Sequence, residues 1–175
     1  MKRFTAQWML SHDRSILRNR MIELTDRNEI IQLVDLNHVA VETANTIFLN
    51  GVIAPEIVSI NQRSIPEESI RASGMGLFSI RNAKFEKVIQ GETDDFILDF
   101  STEDSNEINS VIKNNFEFLA GYSLEDIIFA CTYAPALLVQ KDNPLKAGNI
   151  TKLSFWADVD FVNHKLGAST KLSHL

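Results

Sequence analysis

Apolar and polar positions repeat at a period of two along the first sixty residues. Phe4, Ala6, Trp8 and Leu10 are separated by Thr5, Gln7 and Met9, the spacing of a strand with one buried face. Residues 18–25 repeat the pattern around Met21, Ile22 and Leu24, and 30–34 return it as Ile-Ile-Gln-Leu-Val. Between these runs lie the polar stretches 12–15 and 26–29, rich in the Asp, Asn and Ser that tolerate turn geometry. Residues 46–49 and 52–54 form a further apolar pair flanking Asn50-Gly51, a dipeptide that predicts a tight turn or a bulge because both residues accept positive φ. Four or five short strands at this spacing predict a small β-sheet, most simply a sandwich.

The pattern changes after residue 60. Ser64 followed by Pro66-Glu67-Glu68 predicts a short helix with Ser64 as cap and Pro66 in the first turn. Gly74-Met75-Gly76 marks a turn rather than a phosphate loop, since the full glycine-rich fingerprint is missing. Residues 77–80 and 96–100 are predicted short strands. From Asp104-Ser105-Asn106 onward the spacing becomes helical: Ile108, Val111, Ile112, Asn115 and Phe116 share one face of a helix reaching about Leu119, with Gly121 as its stop. Ser123 caps a second helix whose first turn holds Glu125 and Asp126 and whose buried stripe is Leu124, Ile127, Ile128, Cys131 and Ala134. Pro135 interrupts or kinks it ahead of Leu137-Leu138-Val139. A turn at 141–144, a strand at 151–156, a short extended piece at 159–161 and a strand-like tail over 165–172 complete the chain. The expected fold class is α+β in one domain spanning 1–175, with strands from 1–60 and 141–175 enclosing a helical middle at 61–140.

Composition narrows the functional classes. The 175 residues are 45% hydrophobic and 23% charged, with a net charge of −6 and a pI near 5.2. That is ordinary globular composition, and its acidic balance argues against general nucleic-acid binding. Local basic character is confined to Lys2-Arg3 and the run from Arg14 to Arg20, read as a solvated strand face in preference to a phosphate-binding patch. The single cysteine, Cys131, excludes an intramolecular disulfide and fits a small core residue. The N-terminal apolar run is broken by Thr5 and Gln7 and makes a poor signal peptide. No apolar stretch has the length of a membrane span. A cytoplasmic location is expected, with neither nucleic acid nor membrane as a partner.

Residues 53–63 read Ile-Ala-Pro-Glu-Ile-Val-Ser-Ile-Asn-Gln-Arg. This resembles the segment by which amidohydrolase-superfamily proteins, the metallo-dependent hydrolases, lead into their catalytic barrel: apolar-x-Pro-Gly-apolar-apolar-Asp/Asn-x-His-x-His. The resemblance continues at both ends. The strands at 4–10, 21–33 and 47–58 are similar to the family's opening sandwich strands. Residues 124–137, Leu-Glu-Asp-Ile-Ile-Phe-Ala-Cys-Thr-Tyr-Ala-Pro-Ala-Leu, are similar to its late helix. Residues 145–153 resemble the turn that leads back into the sandwich, with Lys152 where an acidic residue is usual, and the tail resembles the small-deaminase branch. The resemblance covers about the first 63 and the last 60 residues. It implies a composite β-sandwich built from both chain ends, with N- and C-terminal strands side by side in one sheet.

The barrel between those ends is what the resemblance cannot supply. A complete (β/α)₈ barrel needs about 200 residues, and far fewer separate the two similar ends. The two family histidine positions hold Asn61 and Arg63, and a permanently protonated guanidinium repels a metal cation. The candidate remnant of the last barrel strand is 96–104, where Asp99 or Asp104 falls near the family's acidic ligand; Asp104 is better explained as a helix cap. His12, His38, His164 and His174 form no metal-binding spacing and are each expected to be solvated surface residues. Asp94-Asp95 and Glu67-Glu68 are expected on solvated faces, and no Gly-x-Ser-x-Gly elbow is present. Trp8, Phe155 and Trp156 are expected to pack in the sandwich core, or to stay uncovered where the barrel once sat. No catalytic residue, cofactor or metal is expected. The expected function is a non-catalytic interaction or structural module, a homo-oligomer or a binder of another protein over the surface vacated by the barrel. The alternative is a small hydrolase acting on a C–N bond with a rebuilt site or a partner chain.

Overall fold

In the computed structural model, the described residues are 1–38, 45–140 and 142–175, with the side chains of His38 and Gln140 left aside. The strands are β1 (Lys2–Leu10), β2 (Ile16–Leu17), β3 (Arg20–Leu24), β4 (Ile30–Asp35), β5 (Thr46–Pro55), β6 (Gly76–Arg81), β7 (Lys84–Ile89), β8 (Phe96–Asp99), β9 (Leu153–Ala157) and β10 (Lys171–His174). The helices are α1 (Glu67–Ser73), α2 (Ser105–Asn114), α3 (Phe116–Leu119), α4 (Leu124–Cys131) and α5 (Tyr133–Gln140), and a 3₁₀ turn covers Leu36–His38. The fold is sandwich-like α+β. A seven-stranded mixed sheet runs β10-β9-β5-β1-β3-β4, with β2 paired to β1, and a three-stranded sheet runs β7-β6-β8. Among the described residues the strands do not close into a barrel.

The first and last strands do share one sheet. β5 pairs parallel with β1 and antiparallel with β9, which pairs in turn with β10. The Asn50-Gly51 dipeptide sits at that junction, and it is a bulge inside one continuous strand, not a turn. Register jumps from Ala6↔Leu49 to Trp8↔Val52 across it. Glycine is required there for space: a Cβ on Gly51 would lie 2.2 Å from the Trp156 carbonyl oxygen and 2.5 Å from the Phe155 ring. Trp156 is fully buried beside it, and its indole N–H donates to Ser154 Oγ (3.2 Å), whose hydroxyl donates to the Pro55 carbonyl at 2.6 Å. Satisfying the ring's polar handle lets the large apolar body be buried without a desolvation penalty.

One core joins the sheets and helices. Phe4, Trp8, Val52 and Trp156 from the large sheet meet Leu98 and Phe100 from the end of β8, Ile108 and Ile112 from α2, and Ile127 and Ile128 from α4. A second cluster around Ile70, Leu77, Ile97 and Ala134 packs α1 and α5 against the small sheet. Both tryptophans are therefore covered, and Phe155 is half-buried.

Helix boundaries differ from expectation where side chains compete with the backbone. The predicted helix to Leu119 breaks at Asn115 (φ −118°, ψ 21°) into α2 and α3. The Asn115 amide turns away from the helix stripe to bond β7: its Oδ1 accepts from Phe85 N and its Nδ2 donates to Ala83 O. The second helix breaks at Thr132, three residues ahead of Pro135, which lies in the first turn of α5. Ser64 does not cap α1; Pro66 occupies that position and no side chain caps it. Strand β7 was missed because its connection to β6 is Asn82-Ala83, both at positive φ, and alanine gives no turn signal. The turn expected from Lys141 begins at a residue outside those described.

Candidate functional site

The lead-in segment leaves the large sheet at Pro55 and, instead of continuing as a barrel strand, folds into a turn. Arg63 N donates to Ser59 O, Ser64 N to Asn61 O and Ile65 N to Ile60 O. Asn61 is exposed on this turn. Arg63 reaches back across it. Its guanidinium is bidentate on Glu103, Nε to Oε1 at 2.8 Å and a terminal nitrogen to Oε2 at 3.1 Å, and also meets Glu56 Oε2 at 3.2 Å. The Glu103 hydrogen bond, then Glu56, hold the Arg63 pKa above its ordinary value. Glu103 Oε1 accepts Ser59 N as well, and the Glu103 carbonyl accepts from His174 Nε2 at 2.8 Å. One cation thus gathers the turn, the end of the large sheet and the chain after β8, and the terminal strand closes on the same point.

Asp99 ends β8 and is buried, only 2% exposed. Its Oδ1 accepts from Ile60 N (3.2 Å) and Ser101 N (2.9 Å), and its Oδ2 accepts from Ser79 Oγ at 2.9 Å. A buried carboxylate needs its lone pairs filled, and here backbone amides and a serine fill them. The structure thus brings Asp99 against Ile60, the residue preceding Asn61, and binds its oxygens to protein donors. Asp104 is elsewhere, accepting from Asn106 N and Glu107 N as the cap of α2. Among the described residues no three His, Cys, Asp or Glu side chains come together as a metal-holding group.

Among the described histidine side chains, His12 and His174 are exposed, while His164 is half-buried. His164 Nδ1 contacts Glu125 Oε1, its ring lies 4.8 Å from Trp8, and its carbonyl accepts Leu124 N at the start of α4. His12 Nδ1 meets Asn143 Nδ2 at 3.3 Å. His38 ends the 3₁₀ turn.

A cluster that the sequence reading missed surrounds Arg14. Its guanidinium bonds Asp95 (2.5 Å) and Asp126 (3.1 Å) and lies 4.2 Å over the Phe129 ring, beside a 210 Å³ cavity also lined by Asp94, Phe96 and Tyr122. Arg3 pairs with Glu23 and Arg20 with Asp35. Three members of the basic N-terminal run, Arg3, Arg14 and Arg20, are thus ion-paired, while Lys2 is exposed and bonds Asn28 and Arg18 lies over the Trp8 ring. No local pattern announces partners 81 and 112 residues away in the chain.

Gly74 takes a left-handed conformation (φ 76°) as the C-cap of α1, and its carbonyl accepts from Glu92 and Thr93. Cys131 is fully buried, and burial pushes its thiol pKa up. No helix among the described residues is long and apolar enough to cross a membrane.

No family model matches the chain, and no curated protein matches it. Among solved structures, one similar chain is the "putative prolidase" from Bifidobacterium longum, at 19% identity and a TM-score of 0.26. The similarity covers 33% of this chain and spans only 15% of that one.

Proposed function

We propose that this chain is a non-catalytic protein of amidohydrolase type, reduced to its composite sheet and a remnant of the barrel, and that its role is association with another chain. The observation that carries the reading is the use made of the three positions at which the resemblance implies metal chemistry. Arg63 is clamped by Glu103 and Glu56, Asp99 is filled by Ile60 N, Ser101 N and Ser79 Oγ, and Asn61 stands in solvent. Catalytic zinc requires about three ligands on rigid elements and an open position for water. Here the corresponding residues work as fasteners between the turn, β8 and the large sheet. The joining of N- and C-terminal strands through β5 and β9 supports the ancestry. With the remnant's helices packed on the sheet, association falls to the apolar residues still exposed, which include Ile31, Leu33, Ile47 and Phe48.

The test is an assay of purified protein with added zinc, manganese or iron against linear amides, cyclic amides and amino-heterocycles. The expected result is no turnover above that of metal alone. Metal-dependent hydrolysis abolished by Asp99→Asn would overturn the proposal.

A further inference from the structure

The hairpin that β1 forms with β2 and β3 keeps one register along its length, from Thr5↔Met21 to Met9↔Leu17, but its pairing lapses at Arg18-Asn19, opposite Trp8 and Gln7. Asn19 takes a left-handed conformation there (φ 53°). A local break of this kind bends the strand and re-aims side chains. Here it borders a 370 Å³ cavity whose walls also include Phe161 and Val162 from the loop after β9. The cavity wall is rich in donors. Arg18 lies 5.7 Å over the Trp8 ring and makes no hydrogen bond or ion pair with a described residue. Trp8 is only 5% exposed, yet its indole N–H finds no acceptor among the described residues and is not sealed from solvent. The Gln7 amide is exposed and unbonded. No acidic side chain lines the cavity, in a chain of net charge −6. Arg18 is also set apart from the other arginines: Arg3, Arg14, Arg20, Arg63 and Arg71 are ion-paired, and Arg27 and Arg81 stand exposed away from this cavity.

We propose that this cavity binds an organic oxyanion, a carboxylate or phosphate monoester carried on a small apolar body. The planar fork of a guanidinium matches two oxygens of either head group, and stacking on the indole holds that fork in place while leaving its N–H groups free. The Trp8 N–H and the Gln7 amide supply further donors. A largely buried donor without an acceptor costs free energy that a ligand oxygen recovers. The apolar body packs against Val162 and against Phe161, whose ring meets Trp8 edge-on at 4.7 Å. Binding here is independent of the association and of the non-catalytic reading proposed above.

Titration with phenylacetate, phenyl phosphate, uncharged phenylacetamide and inorganic phosphate tests this, with far-UV circular dichroism to confirm folding of each variant. The readout is the pair of indole N–H signals in a proton–nitrogen correlation spectrum, assigned by through-space contacts of Trp8 to Phe161 and of Trp156 to Ser154. The expected result is a saturable shift of the Trp8 signal with phenylacetate or phenyl phosphate, the tighter of the two naming the head group, while the Trp156 signal stays in place. Phenylacetamide and inorganic phosphate should bind at least about tenfold more weakly. Arg18→Gln should weaken binding of the acids at least about tenfold, and Arg27→Gln and Arg81→Gln should leave it unchanged. A Trp8 signal that moves with neither acid at millimolar concentration overturns the site. Phenylacetamide bound as tightly as phenylacetate, or acids bound as tightly by Arg18→Gln as by the wild type, overturns recognition of an oxyanion. Inorganic phosphate bound as tightly as phenyl phosphate overturns the apolar body.

Discussion

At the residue scale the protein is organised by a few polar side chains that each serve several backbone groups. Asp99 is the clearest. Replacing it with alanine strands Ile60 N, Ser101 N and Ser79 Oγ in a buried setting, and a loss of about 2–3 kcal/mol in urea unfolding is expected; an unchanged midpoint would refute its role as a fastener. Glu23 gives a pH signature. Hydrogen bonds from Gln32 and then Arg3 hold its carboxyl below the ordinary value of 4.5. A depressed folded-state pKa means that its stabilisation is complete above the unfolded value and is lost as pH falls through the folded one. Stability measured from pH 7 to pH 3 should therefore decline more gently in Glu23→Gln than in the wild type. Cys131 should resist thiol reagents in the native state and react only on unfolding, because burial disfavours its thiolate; rapid labelling without denaturant would contradict its placement in the core.

At the element scale, what was legible depended on how local the cause was. β1 and β3 follow from two-residue periodicity in the sequence, β4 and β9 from short apolar runs, and Ser123 and Asp104 cap helices as their spacing implies. The resemblance also pointed to the union of the two chain ends that β5 and β9 make. Non-local causes were not legible. Asn115 has the spacing of a helix interior, but bonding the edge of β7 outweighs one more helical turn. Arg14 carries no hint in its neighbours that it will bond Asp95 and Asp126. The resemblance singled out Arg63 and offered Asp99 as one of two candidate acids, yet the donors filling Asp99 are set by tertiary packing. The β5–β9 seam offers the sharpest test at this scale. Gly51→Ala forces a Cβ into the Trp156 carbonyl and Phe155 ring, and a loss of about 3 kcal/mol is expected in thermal or urea unfolding. A neutral result would mean that the two strands do not lie so close.

At the scale of the whole molecule, strands from both ends build one sheet, and the short middle folds over it, with Arg63 and Asp99 binding the two together. If copies pair, unfolding is coupled to dissociation, and the melting temperature should rise with protein concentration; a melting point independent of concentration would argue against a native dimer. The central claim of the proposal is that Arg63 and Asp99 serve structure and that, with Asn61 in solvent, none of the three holds a metal. Zinc content by native mass spectrometry, after saturation with zinc and removal of free metal, addresses it most directly. The account predicts a chain that retains no stoichiometric zinc. One zinc held per chain, and lost on changing Asp99 to Asn in a protein that still folds, would contradict it.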